Sequence, residues 1–342
     1  MKKILIIRFS SIGDIVLTSP VIRCLKKQVK DAEVHFLTKK VFGGIVQSNP
    51  YVDKVHMIDK KAGEVLPELK KEKFDCIIDL HHNLRTLQVK QALKRPAFTF
   101  RKLNVKKWIL VRFKQNLMPE VHIVDRFLDT VKELGVENDG MGLDYFIPPG
   151  DEVRLSELPL SFRSGYLGFV IGAAHATKRL EVGKIISVLK KLNRPVVLLG
   201  GKEDSDRACV IESALGAMVY NACGKYNLNQ SASLVRQAGE IVTHDTGLMH
   251  IAAAFGKPIV SVWGNTVPGF GMYPYSAISD LKSAISDLPL AIRGKNEIVQ
   301  VEGLSCRPCS KIGFKKCPKG HFKCMRNISE DELISKIKLL AP

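Results

Sequence analysis

The chain has 342 residues, 45% of them hydrophobic and 25% charged, enough for two ordinary cores rather than one. No apolar run reaches the roughly 18 residues of a membrane span, which excludes a spanning protein. The net charge of +18 points to an anionic partner: nucleic acid, a membrane surface or a phosphorylated substrate.

The first residues, MKKILIIRF, are basic and then apolar. The run is too short for a signal peptide and is followed by Arg8 and Asp14, so it reads as a first strand of a cytoplasmic protein. Further short β-branched runs at 33–38, 54–59, 74–80 and 97–101 alternate with helical patterns at 15–28, 83–94 and 122–135. Such alternation predicts a parallel sheet covered on both faces. The stretch 81–119 holds ten Lys/Arg and no acid. A polar segment with three prolines at 147–162 reads as a linker. The same rhythm then restarts, with strands at 166–173, 194–201, 218–223, 240–245 and 258–264 and helices at 182–192, 204–215, 228–239 and 247–256. The stretch Cys306–Arg326 holds seven Lys/Arg and no acid. A final amphipathic helix opens with a capping-box pattern from Ser329 to Glu332. The predicted domains are 1–155 and 156–326, with residues 327–342 a helix packing back towards the first domain.

Ligands of open α/β sheets bind where strands end and helices begin, and four turns there carry candidate chemistry. Arg8-Phe9-Ser10-Ser11-Ile12-Gly13-Asp14 follows the first strand. Gly13 permits close backbone approach, and Asp14 is either a helix-capping carboxylate or a general base. Gly172 to Arg179 offers Thr177 and Lys178 to diphosphate oxygens, or is a solvated basic turn. Gly200 to Asp204 places a carboxylate after a strand, where a ribose would bind. Thr243-His244-Asp245-Thr246-Gly247-Leu248-Met249-His250 ends a strand and opens a helix. The free amides and dipole there suit a diphosphate, with simple capping as the plain alternative.

RFSSIGD, the Lys178-Arg179 turn and HDTGLMHIAAAFGKPIVSVWGNT together resemble the ADP-heptose:lipopolysaccharide heptosyltransferase family, glycosyltransferase family 9, over almost the whole chain. The resemblance implies an α/β GT-B fold, two Rossmann-like domains facing across a cleft, with acceptor on the first and donor on the second. It implies inverting, metal-independent transfer without a cofactor. Asp14 would be the base, and Arg8, Ser10, Ser11 and Gly13 would face the acceptor. Thr177, Lys178, Asp245, Thr246, Gly247 and His250 would bind the donor diphosphate, Asp204 the ribose and Tyr226 the adenine. Leu180 stands where the family often has tryptophan. The implied partners are ADP-heptose, a phosphorylated Kdo-bearing lipid A core and, peripherally, the inner leaflet of the inner membrane. Nucleic acid is not among them.

Cys306, Cys309, Cys317 and Cys324 lie close in sequence, with His321 among them. They could close a structural zinc site, or remain reduced thiols or a labile disulfide. Two rivals remain: a GT-B transferase with another nucleotide sugar or acceptor, and a zinc-dependent nucleic-acid-binding protein. The second leaves the helix-mouth motifs idle and lacks interleaved aromatics.

Overall fold

The structure, a computed structural model, describes residues 2–277 and 296–341. The chain divides into two compact units. One contains Met1–Lys102 and Val121–Phe146. The other contains Leu103–Glu120, Ile147–Ser276 and the C-terminal residues from Asn296. The expected boundary at 155 thus falls at 146, and residues 103–120 leave the first domain for the second.

The first unit is built on β1 (Lys2–Ile7), β2 (Ala32–Lys39), β3 (Lys54–Ile58), β4 (Cys76–Asp79) and β5 (Ala97–Thr99). These strands pair in the order β3-β2-β1-β4-β5, all in parallel. Ile4 to Ile7 of β1 are fully buried, as expected of a central parallel strand. The pattern at 15–28, expected as one helix, forms two: α1 (Ile12–Val16) and α2 (Ser19–Gln28). Pro20 explains the break, because it suits a first helical turn but cannot continue one. The helices α3 (Leu66–Glu72), α4 (Leu84–Leu93) and α6 (Ile123–Leu128) complete this unit, and α5 (Asn104–Phe113) precedes α6 in the chain. Leu110 of α5 packs with Met118 and Phe270 of the second unit.

The second unit contains β6 (Leu167–Val170), α7 (Val182–Leu192), β7 (Val196–Leu199), α8 (Ser205–Leu215), β8 (Val219–Asn221), α9 (Leu228–Gln237), β9 (Glu240–His244), α10 (Gly247–Ala254), β10 (Ile259–Trp263), β11 (Asn296–Gln300), α11 (Lys323–Arg326) and α12 (Glu330–Leu340). Its strand order is β11-β10-β9-β6-β7-β8, again all parallel. Read from β8, this is the doubly wound order 3-2-1-4-5-6.

The closing helix opens as its sequence predicts. Ser329 Oγ accepts the Glu332 amide at 3.2 Å, as the capping pattern predicts. The apolar face of α12 is buried within the second unit. Leu333, Ile334, Ile337 and Leu340 enter the core of the second unit with Ile185, Val188, Val260 and Val299. Burying these four side chains there satisfies the whole apolar stripe.

Candidate functional site

In a doubly wound sheet, the binding crevice opens where strand order reverses, at the carboxyl ends of two neighbouring strands that lead to opposite faces. In the first unit those strands are β1 and β4; in the second they are β6 and β9.

The turn after β1 is tightly ordered. Ser11 caps α1, and Asp14 Oδ2 accepts both its amide (3.1 Å) and its hydroxyl (2.8 Å). Arg8 Nη2 lies 2.5 Å from Asp14 Oδ1. Burial pushes the Asp14 carboxyl up, but Arg8 and the Ser11 hydrogen bonds outweigh it and hold the group below its ordinary value. Asp14 is therefore both a capping residue and a fixed carboxylate, ionised at neutral pH. Arg8, expected at the acceptor, is engaged at each guanidinium nitrogen. Nε donates to Ser10 O at 2.9 Å, Nη1 donates to Leu80 O, and Nη2 holds Asp14. Arg8 is a positioning residue. Ser10 is half-buried, Ser11 exposed and Gly13 buried beneath them.

Two residues not singled out from the sequence lie in the same unit. His81 follows β4 and packs edge-on against Phe9, ring centroids 5.3 Å apart. Burial first, then the charges of Arg8 and Lys102, depress it to about 4, so it is neutral. Arg126 on α6 is only 8% exposed, and none of its three guanidinium nitrogens has a hydrogen-bond partner. Its guanidinium lies over the Phe100 ring (5.5 Å), Phe100 packs on Phe127 (4.7 Å), and Arg8 lies over Phe127 (5.6 Å). A buried cation without a hydrogen-bond partner is costly, and the sequence signal was an Arg inside the run HIVDRFL.

In the second unit, two turns 67 residues apart meet. Lys178 Nζ lies 2.6 Å from Asp245 Oδ2 and 3.4 Å from Asp245 O. Asp245 Oδ2 also accepts Thr266 Oγ1 at 2.9 Å. Lys178 and Asp245 are each 14% exposed. Thr246 is the N-cap of α10 but makes no side-chain cap, and Gly247 begins the helix. The ammonium thus stands beside an uncapped helix N-terminus, a pairing that attracts a dianion. His250 is buried one turn further in.

Other expected donor contacts are corrected here. The Thr177 hydroxyl is buried and engaged: its one proton is within reach of Asn265 Oδ1 (3.0 Å) and Phe314 O (3.1 Å), and it accepts the Phe314 amide (2.8 Å). It fastens loops instead of facing a phosphate. Asp245 spends its carboxylate on Lys178 and Thr266, so it positions the lysine. Asp204 is buried under Gly172, where an added Cβ would lie 2.1 Å from Oδ2. It pairs with Arg179 at 3.5 Å and accepts the Gly201 amide at 3.1 Å. A carboxylate so enclosed does not reach a ribose. Tyr226 is half-buried in the loop after β8, and its hydroxyl shares a 2.9 Å hydrogen bond with Tyr220.

The cysteine segment is a strap over these turns. Arg307 donates to Gly264 O (2.6 Å), Thr266 O (2.9 Å) and Val301 O (3.2 Å), and the Cys309 amide to Asn265 O (3.3 Å). Lys114 beyond α5 donates to Pro308 O at 2.7 Å. Among the described residues no three ligand atoms of Cys306, Cys309, Cys317, Cys324 and His321 gather within 4.8 Å. Cys324 belongs to the apolar core, and burial, helped by the neighbouring thiols, pushes it up to about 11. Burial likewise pushes the Cys309 thiol up, and none of the four cysteines is in a disulfide.

Two parallel doubly wound units, one presenting a fixed carboxylate and the other a lysine at a helix N-terminus, define a glycosyltransferase of the GT-B class. The chain belongs to glycosyltransferase family 9 (heptosyltransferase), whose model matches residues 64–289. It is 25% identical over 293 residues to lipopolysaccharide heptosyltransferase 1 of Campylobacter coli, covering 77% of this chain and 84% of that one. Its fold is similar to the glycosyl transferase family 9 structure from Veillonella parvula, with a TM-score of 0.75 at 22% identity over 99% and 97% of the two chains. It is also similar to the E. coli heptosyltransferase WaaC solved with ADP, with a TM-score of 0.66 at 18% identity over 99% and 100%.

Proposed function

We propose that this protein transfers a heptose from ADP-heptose to the inner core of lipopolysaccharide with inversion at the anomeric carbon. The observation that carries the reading is Lys178 Nζ held at the N-terminus of α10. The ADP diphosphate lies against the first-turn amides and the ammonium, and Tyr226 borders the adenine. The acceptor hydroxyl attacks the anomeric carbon while its proton passes to Asp14. The bond from that carbon to the β-phosphate oxygen breaks, and its electron pair leaves with ADP. Lys178 and the helix amides take up the charge that grows on the leaving diphosphate. Arg8 keeps Asp14 ionised and aimed.

Arg126 is the counterpart on the acceptor side. A carboxylate or phosphate of the Kdo-lipid A core supplies the hydrogen-bond acceptors that its guanidinium lacks. Among the described residues no helix is long and apolar enough to cross a membrane. Helix α5 instead exposes Val105, Trp108 and Phe113 among Lys106, Arg112 and Lys114, the composition of an interfacial helix that docks peripherally on anionic lipid.

Calorimetric donor screening tests the reading. ADP and ADP-heptose bind, and a UDP-sugar binds more weakly. A preference for the UDP-sugar would replace heptose with another donor while leaving the GT-B chemistry intact.

A further inference from the structure

The first sheet carries a cluster of ionisable groups that transfer does not use. It lies within β2 and β3 and on α3, whereas Arg8 and Asp14 follow the carboxyl end of β1. His35 on β2 and His56 on β3 are buried, and His35 Nδ1 lies 2.9 Å from His56 Nε2. Each outer ring nitrogen meets a carboxylate: His35 Nε2 lies 2.7 Å from Glu33 Oε1, and His56 Nδ1 lies 2.7 Å from Glu68 Oε1. The edge of Phe74 closes the cluster from the apolar side, its ring 5.2 Å from that of His35. Glu72 on α3 completes it. One nitrogen of each histidine and one oxygen of Glu72 lie within 4.8 Å of one another.

From this geometry we infer a divalent transition-metal site, zinc being its natural occupant, with ligands His35 Nδ1, His56 Nε2 and a Glu72 oxygen. Three features support it. Two imidazoles and a carboxylate form a ligand set that zinc accepts, with water in the fourth position. Bonds of about 2.0–2.1 Å need the two nitrogens to open by only a few tenths of an ångström for tetrahedral geometry. The outer nitrogens are already hydrogen-bonded to Glu33 and Glu68, the carboxylate–histidine arrangement that fixes the tautomer of a ligating imidazole and raises its basicity.

Two lysines bear on the cluster. Glu72 receives Lys3 at 2.9 Å and Lys54 at 2.6 Å, one on each oxygen, and these bonds hold its carboxyl down at about 2. The carboxylate is therefore ready to ligate, and each oxygen keeps a lone pair beyond its lysine. The cation takes its place between the two facing nitrogens, and each imidazole keeps its outer nitrogen on its glutamate. Glu68 and the edge of Glu72 reach solvent and give a path in. A bound cation would cross-link β2, β3 and α3 without touching the transfer chemistry.

The test is zinc titration of the full reduced chain by calorimetry. The expected result is one zinc site per chain. His56→Gln and Glu72→Gln should each weaken it by about 100-fold or more, and Glu68→Gln by about 10- to 100-fold. Cys306→Ser should leave it unchanged. Glu72→Gln, at the rim of the cluster, serves if His56→Gln does not fold. Absence of zinc binding, or a site that Cys306→Ser removes and Glu72→Gln leaves intact, overturns the inference.

Discussion

Replacing Lys178 by Met removes its ammonium from the α10 N-terminus and uncovers its partner. A charge-assisted contact to a phosphate oxygen contributes about 1.5–3 kcal/mol, so ADP affinity should fall by about 10- to 150-fold. The loss has a second part, because Asp245, held by Lys178 at 2.6 Å, now turns an unbalanced carboxylate towards the diphosphate. Like charges near 4 Å repel by about 4 kcal/mol at an effective dielectric of 20, an upper bound for a pair still 14% exposed. Asp245→Asn alone frees the lysine from its anchor and should cost less than Lys178→Met. Lys178→Met/Asp245→Asn should bind ADP more tightly than Lys178→Met, since the repulsion is gone. Calorimetric titration with ADP across this double-mutant cycle measures both parts. Equal ADP affinity in wild type and Lys178→Met, or a double variant weaker than the single, would refute the reasoning.

Three further outcomes follow from the same geometry. Asp14 lies below its ordinary value, so its carboxylate, and the stability it lends, persists above the usual carboxyl range and is lost only as pH falls through the lowered value. Arg8→Met leaves burial to dominate, and the acid limb of the kcat profile should move towards neutrality; an unmoved limb contradicts the role of Arg8. Arg126→Met should raise KM for the anionic acceptor by about tenfold or more while ADP affinity and thermal stability hold or improve, because an unpaired buried charge is removed; unchanged acceptor kinetics would count against the anion contact. Trp108→Ala should reduce co-sedimentation with vesicles containing anionic lipid without changing turnover on a detergent-dispersed acceptor, and unreduced vesicle binding would exclude α5 as the docking face.

The strands of both sheets were readable because buried parallel strands are short continuous β-branched runs, such as Ile4–Ile7 and Val196–Leu199. Helix α5 was not, since Val105, Trp108 and Phe113 do not form a stripe that the fold buries. Strand β11 was missed for want of an alternating pattern. At the site, position was legible but direction was not. Asp204 follows a strand end as a ribose ligand would, yet Gly172 and Arg179 claim it from below. Thr177 lies in the right turn, but its hydroxyl is taken by Asn265 and Phe314, distant in sequence. The pairing of Lys178 with Asp245 and that of His35 with His56 depend on strand order and register, which no local spacing encodes.

The decisive measurement is product formation by Asp14→Asn from ADP-heptose and Kdo-lipid A, with ADP affinity measured on the same sample. Removing a general base should slow turnover by about 10²- to 10⁴-fold while ADP binds as in wild type. Unslowed turnover, or loss of ADP binding along with the fold, would leave Asp14 as a helix cap and nothing more.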